Sequence, residues 1–96
     1  MNRDDADRLN VLFLQIAGLL NQSAAFVRDK DDEAHWHQYR RPVGKAMNAV
    51  FDLGELIWAR FPELKPEGLG GPYKVDPLIY EPPFYEWDDE DVRDEG

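Results

Sequence analysis

The chain contains no cysteine and no threonine, and its only serine is Ser23. Without cysteine, neither a disulfide framework nor a thiolate metal site can hold a small domain together. With so few hydroxyls and no thiol, the usual nucleophiles of covalent catalysis are nearly missing. Ser23 falls on an apolar helical stripe, where its hydroxyl is expected to bond back into its own helix. Proline is also scarce at first, since residues 3–61 hold only Pro42. No uninterrupted run of apolar side chains exceeds four residues, whereas a membrane span needs roughly 20. The opening Met1-Asn2-Arg3-Asp4-Asp5 lacks a basic segment followed by an apolar one, which argues against a signal peptide. The absence of cysteine suits a reducing compartment, so a cytoplasmic location is expected.

What is present changes character at Phe61-Pro62. Residues 3–61 carry helical periodicity, while residues 62–96 hold six prolines, five aromatics and most of the excess acid. The division expected is a helical hairpin over 1–61 and an extended C-terminal arm over 62–96. At 96 residues this is one small unit, with a core too small to be robust unless the arm, a second copy or a partner adds to it.

The first helix is expected from Asn2 or Asp4 to about Arg28. Asn2 with Asp5 three residues later forms a capping pair, and Asp4, Asp5 and Asp7 suit the positive end of the helix dipole. Leu9, Leu12, Phe13, Ile16, Leu19, Leu20, Ser23 and Val27 recur at spacings of three and four and predict one buried face. A second, narrower stripe of Val11, Leu14, Gly18 and Ala25 is a candidate self-association surface, with Gly18 and Ala25 permitting close approach.

A short polar connection, Arg28 to Asp32, implies an antiparallel neighbour. The second helix should begin near Asp31. Its apolar positions include Trp36, Tyr39, Val43, Met47, Val50, Gly54, Ile57 and Phe61, flanked by Ala46, Phe51, Leu53 and Trp58. That stripe is wider than one neighbour needs. Pro42 predicts a kink, or a split into 31–40 and 42–61, and Pro62 stops the helix.

The candidate chemistry is thin. His35 and His37 stand two apart on a helix and cannot chelate one ion together, though Asp31–His35 and Glu33–His37 are each spaced for half a metal site. Solvated polar residues are the expected reading. Asp88, Asp89, Glu90 and Asp91 lack the glycine turn and closing glutamate of a calcium loop. Gly68-Leu69-Gly70-Gly71-Pro72 lacks the lysine and helix of a phosphate-binding loop. No catalytic function, metal or cofactor is expected. Arg40, Arg41 and Lys45 form a basic cluster, read as a solvated face or as an anchor for the acidic arm.

The net charge of −9 is uneven, because residues 86–96 place seven acids against Arg93 alone. Such a chain is repelled by nucleic acid and anionic lipid and drawn to basic protein surfaces. The arm motif Tyr80-Glu81-Pro82-Pro83-Phe84-Tyr85-Glu86-Trp87 joins stiff prolines to aromatics, the residues that dominate binding hot spots. Tyr80, Phe84, Tyr85 and Trp87, with Asp88, Asp89, Glu90 and Asp91, are therefore the candidate partner-binding residues. The alternative role for these aromatics is to cover the open side of the hairpin.

By composition, the chain resembles the small acidic proteins that neutralise toxins or nucleases, such as immunity proteins and antitoxins. That resemblance implies an inhibitor that binds a basic protein. The competing expectation is a structural or scaffolding homodimer whose arm completes its own core. The fold class expected is all-α: a two-helix antiparallel hairpin with an irregular Pro/aromatic/acidic arm, completed by dimerisation or a partner.

Overall fold

The computed structural model describes residues 1–87, and the chain is an all-α hairpin. Helix α1 spans Arg3–Lys30 and helix α2 spans Glu33–Trp58, with only Asp31 and Asp32 between them. Asn2 caps α1 by accepting the Asp5 N–H at 2.8 Å, as the capping pair implied. Asp32 caps α2 by accepting the His35 N–H at 2.8 Å. Each cap satisfies a donor that the first turn would otherwise leave unpaired.

Helix α2 runs unbroken through Pro42, so of the two expectations for that proline the split is not realised. Pro42 is exposed, its ring faces solvent, and packing of the apolar stripe on both sides of it keeps the helix in phase. The helix ends at Trp58, earlier than Phe61. There the Arg60 and Phe61 N–H groups both turn back to the Ile57 carbonyl, at 3.1 and 2.8 Å.

Three short 3₁₀ turns follow, at Pro62–Leu64, Glu67–Leu69 and Pro77–Tyr80. A small loop closes on itself between them: Tyr73 N–H donates to the Lys65 carbonyl and Glu67 N–H to the Tyr73 carbonyl, both at 2.9 Å. Gly71 is required inside this loop, since a Cβ there would lie 2.1 Å from the Lys65 carbonyl oxygen. The Glu81-Pro82 peptide is cis.

The described part of the arm packs on the hairpin. Beyond the loop it returns along α1, so that α1 is flanked by α2 and by the arm. This placement corrects the expected burial of α1. Its most buried residues are Ala6, Asn10, Leu14, Ala17, Gln22 and Ala25. Of the predicted face, Leu9, Phe13, Leu20, Ser23 and Val27 are half-buried, while Leu12, Ile16 and Leu19 are exposed. The reason is that α1 has two neighbours. The midline of burial is drawn towards the arm and away from the most apolar side.

The core is centred at the open end of the hairpin, where Ala6, Ile57, Trp58 and Leu64 pack with Leu9, Phe13, Phe51, Phe61 and Tyr73 around them. Asn10 lies within it, fully buried. It accepts the Trp58 indole N–H at 2.8 Å and donates to the Leu64 carbonyl at 2.9 Å, tying α1, α2 and the first 3₁₀ turn together. Towards the other end, Tyr39 O–H donates to Ser23 Oγ at 2.9 Å, and Ser23 O–H donates to the Leu20 carbonyl at 2.7 Å. The back-bond expected of Ser23 is present, and the hydroxyl also serves as an acceptor between the helices.

By length and composition α1 is apolar enough to cross a membrane. In this fold it lies between α2 and the arm, with Leu12, Ile16 and Leu19 left exposed. Its two buried amides, Asn10 and Gln22, each bond to groups outside it.

Candidate interaction surface

The arm is held on α1 by a run of polar contacts at near-helical intervals. Tyr73 O–H donates to Asp7 Oδ1 at 3.1 Å, and the Gln15 side-chain amide donates to the Ile79 carbonyl at 2.9 Å. Gln22 Oε1 accepts two consecutive backbone donors, Phe84 N–H at 2.6 Å and Tyr85 N–H at 2.9 Å. Tyr85 O–H donates to Asp29 Oδ2 at 2.7 Å. Between these points the Tyr80 ring lies flush against Gly18. A Cβ at position 18 would stand 2.7 Å from two of the ring's carbons.

Phe26 of α1 meets the Phe84 and Tyr85 rings with centroids 5.2 Å away in each case, the second edge-on at 84°. Lys30 Nζ sits 5.9 Å from the Tyr85 ring centre, a cation drawn to an aromatic face. Burial raises the Tyr80 phenol above its ordinary pKa. The bond to Asp29 raises Tyr85, while Arg28 and then Tyr85 hold the Asp29 carboxyl low.

The candidate residues can now be placed. Tyr80 and Tyr85 are half-buried against α1, Trp87 is half-buried, and Phe84 remains largely exposed at 59%. Asp88, Asp89, Glu90 and Asp91 lie outside the described residues. Of the stripe considered for self-association, Leu14 and Ala25 are buried, Val11 is half-buried, and Gly18 is covered by Tyr80 of the same chain.

Sequence reasoning gave no special weight to Gln15, Gln22 and Phe26, which anchor the arm. Amide side chains on a helix look like solvent-facing residues until something extended brings backbone groups to meet them. The spacing of Gln15, Gly18 and Gln22 at three and four is the one signal that could have marked a second contact face.

Two grooves border the arm. The larger, of about 580 Å³, is lined by Tyr80, Tyr85, Trp87, Glu81 and Glu86 with Gln22 at its base. The smaller, of about 300 Å³, runs between the exposed Leu12, Ile16 and Leu19 of α1 and the Ile79–Pro82 stretch. Gln22, Tyr80 and Glu81 line both, so the two form one continuous surface.

Away from this surface, Asp31, Asp32 and His35 bring their ligand-type atoms within 4.8 Å of one another at the start of α2, all exposed. His35 Nδ1 is 2.9 Å from Asp32 Oδ1 and 3.5 Å from Asp31 Oδ1. His37 lies apart from them, facing Glu33 at 3.6 Å. Asp32 already caps α2, so the cluster is a cap with a histidine folded onto it. The pairing raises the His35 pKa, chiefly through Asp32, and lowers that of Asp32, chiefly through the His35 backbone N–H.

The sign is definite. The His35 contribution to stability is complete below its unfolded value near 6.5 and fades as pH rises through the higher folded value. The Asp32 contribution is complete above its ordinary value of 3.8 and fades as pH falls. In an NMR titration, Asp32→Asn should lower the His35 midpoint. An unchanged His35 midpoint in that variant would refute the pairing.

Arg40, Arg41 and Lys45 are all exposed, and no ion pair forms to any of them among the described residues. Comparison of the chain with protein-family models, with curated proteins and with solved structures finds no match in any of the three.

Proposed function

We propose that this protein is a non-catalytic protein-binding module, an acidic inhibitor of the immunity-protein and antitoxin type that neutralises a basic partner in the cytoplasm. The observation that carries the reading is the exposed apolar stripe Leu12, Ile16 and Leu19, beside a groove bordered by the folded-back arm. The arm could have covered these side chains and lies next to them instead. Exposed Phe84 extends the apolar surface at one end. Contiguous exposed apolar surface rimmed by polar and acidic residues is characteristic of protein–protein contact. The excess acid of the chain favours a basic partner and speeds the encounter.

The test uses Leu12→Asp with Ile16→Asp. Both positions are exposed, so the fold should persist, whereas partner affinity should fall by about ten-fold or more. Co-purification from the host lysate should give one stoichiometric basic protein with the unaltered chain and none with the variant. Equal recovery by both chains would overturn the assignment of the surface.

A second reading, the scaffolding homodimer, is favoured by Leu53 and Leu56, exposed at 49% and 67%. Ser23 follows Leu19, Ile16 and Leu12 at helical spacings, and Tyr39 stands about four turns from Leu53. Two such faces pressed together would form a four-helix bundle. Light scattering decides this, since a dimer doubles the chain mass of 11.2 kDa.

A further inference from the structure

The geometry points to the larger groove as a receptor for one basic side chain, a lysine or arginine carried on a peptide segment of the partner. The inference rests on the protein-binding reading and specifies its chemistry. Three features converge on it.

The walls are aromatic. Tyr80, Tyr85 and Trp87 line the groove, and aromatic faces attract ammonium and guanidinium groups within about 6 Å. The Tyr85 ring already draws such a group from within the chain, the Lys30 ammonium at 5.9 Å.

The rim is acidic without compensation. Glu81 and Glu86 both line the groove, both are exposed, and neither forms an ion pair among the described residues. No cationic side chain lines it. An anion is thus disfavoured, whereas a long basic side chain can lay its apolar stem on the rings and its charge between the carboxylates.

The base offers a donor. Gln22 is 8% exposed and its Oε1 is fully engaged by the Phe84 and Tyr85 N–H groups. Its Nε2 has no acceptor among the described residues. Gln22 lines the groove, and its amide N–H suits a backbone carbonyl of the incoming segment. At about 580 Å³ the groove also falls in the size range of ordinary binding clefts.

The experiment is a nitrogen-15 NMR titration of the full chain with a blocked hexa-arginine peptide, repeated with a hexa-glutamine peptide. Saturable shifts are expected at Gly18, Tyr85, the Gln22 side-chain amide and the Trp87 indole, with the arginine peptide only. Glu81→Gln with Glu86→Gln should weaken the affinity about ten-fold, as should Trp87→Ala, with melting temperature as a folding control. Shifts confined to residues 88–95, or equal affinity of the double variant, would overturn the proposal. If the arginine peptide leaves the groove unmoved while Leu12→Asp/Ile16→Asp still abolishes partner capture, this inference fails and the protein-binding reading stands.

Discussion

Asn10→Ala should lower the unfolding free energy by about 3 kcal/mol. The substitution deletes one amide but strands two groups, the Trp58 indole N–H and the Leu64 carbonyl, at a site with no solvent access. Each buried group left unpaired costs about 1–3 kcal/mol, and the small cavity adds to that. For a domain of this size the loss corresponds to a fall in melting temperature of roughly 15 °C. Urea unfolding followed by tryptophan emission measures it. A double-mutant cycle sharpens the claim. Trp58→Phe removes the stranded donor, so it should cost less in the Asn10→Ala background than in the unaltered chain. Strict additivity would show that the amide and the indole are not coupled.

Gly18→Val should release the arm from α1. A Cβ at position 18 falls 2.7 Å from Cδ1 and Cε1 of Tyr80, and valine adds two methyl groups on a helix that cannot yield. The ring is mid-side-chain and held by the backbone on either side, where Ile79 is bonded to Gln15 and Phe84 to Gln22. Overpacking of this kind costs about 1–3 kcal/mol, partly offset by the gain in helix propensity on replacing glycine. The readout is local. Amide exchange should accelerate at Phe84 and Tyr85, whose N–H groups lose Gln22, while the Trp58–Asn10 end keeps its protection. Binding should weaken as well, because both grooves have an arm-lined bank. Unchanged protection at Phe84 would mean that the arm tolerates a side chain at position 18.

Much of the hairpin was legible because its signals are local. Asn2, Asp32 and the two-residue connection after Lys30 act within a turn or two of themselves, and the three–four spacing of α2 meets a single neighbour along most of its length. The rest depended on pairing across long separations. Which of two apolar stripes on α1 would be covered turned on where residues 73–87 went, and periodicity ranks stripes by composition without regard to a later segment. Leu12, Ile16 and Leu19 were therefore expected inside and lie outside, while Leu14, Ala17 and Ala25 are buried. Pro42 illustrates the same limit in reverse, since a strong local disruptor left α2 continuous. For the interaction surface, the aromatics were visible as a cluster. Their seat on Gly18, Gln22 and Phe26 was not, because nothing in a glutamine or a glycine says which backbone will come to it.

The flanking of α1 by α2 and the arm also orders the assembly of the molecule. Contacts between α1 and α2 near the two-residue connection, such as Tyr39 with Ser23, close the shortest loops and are expected to form first. The hydrogen bonds that seat the arm join residues 56 to 66 positions apart, such as Tyr85 with Asp29 and Tyr73 with Asp7, and are expected to close last. During synthesis residues 73–87 emerge after the hairpin, so the flank of α1 that they cover is expected to be bare until they are made. A newly made molecule is for that interval a different object, more adhesive than the finished one, and the arm acts as its own late-arriving chaperone.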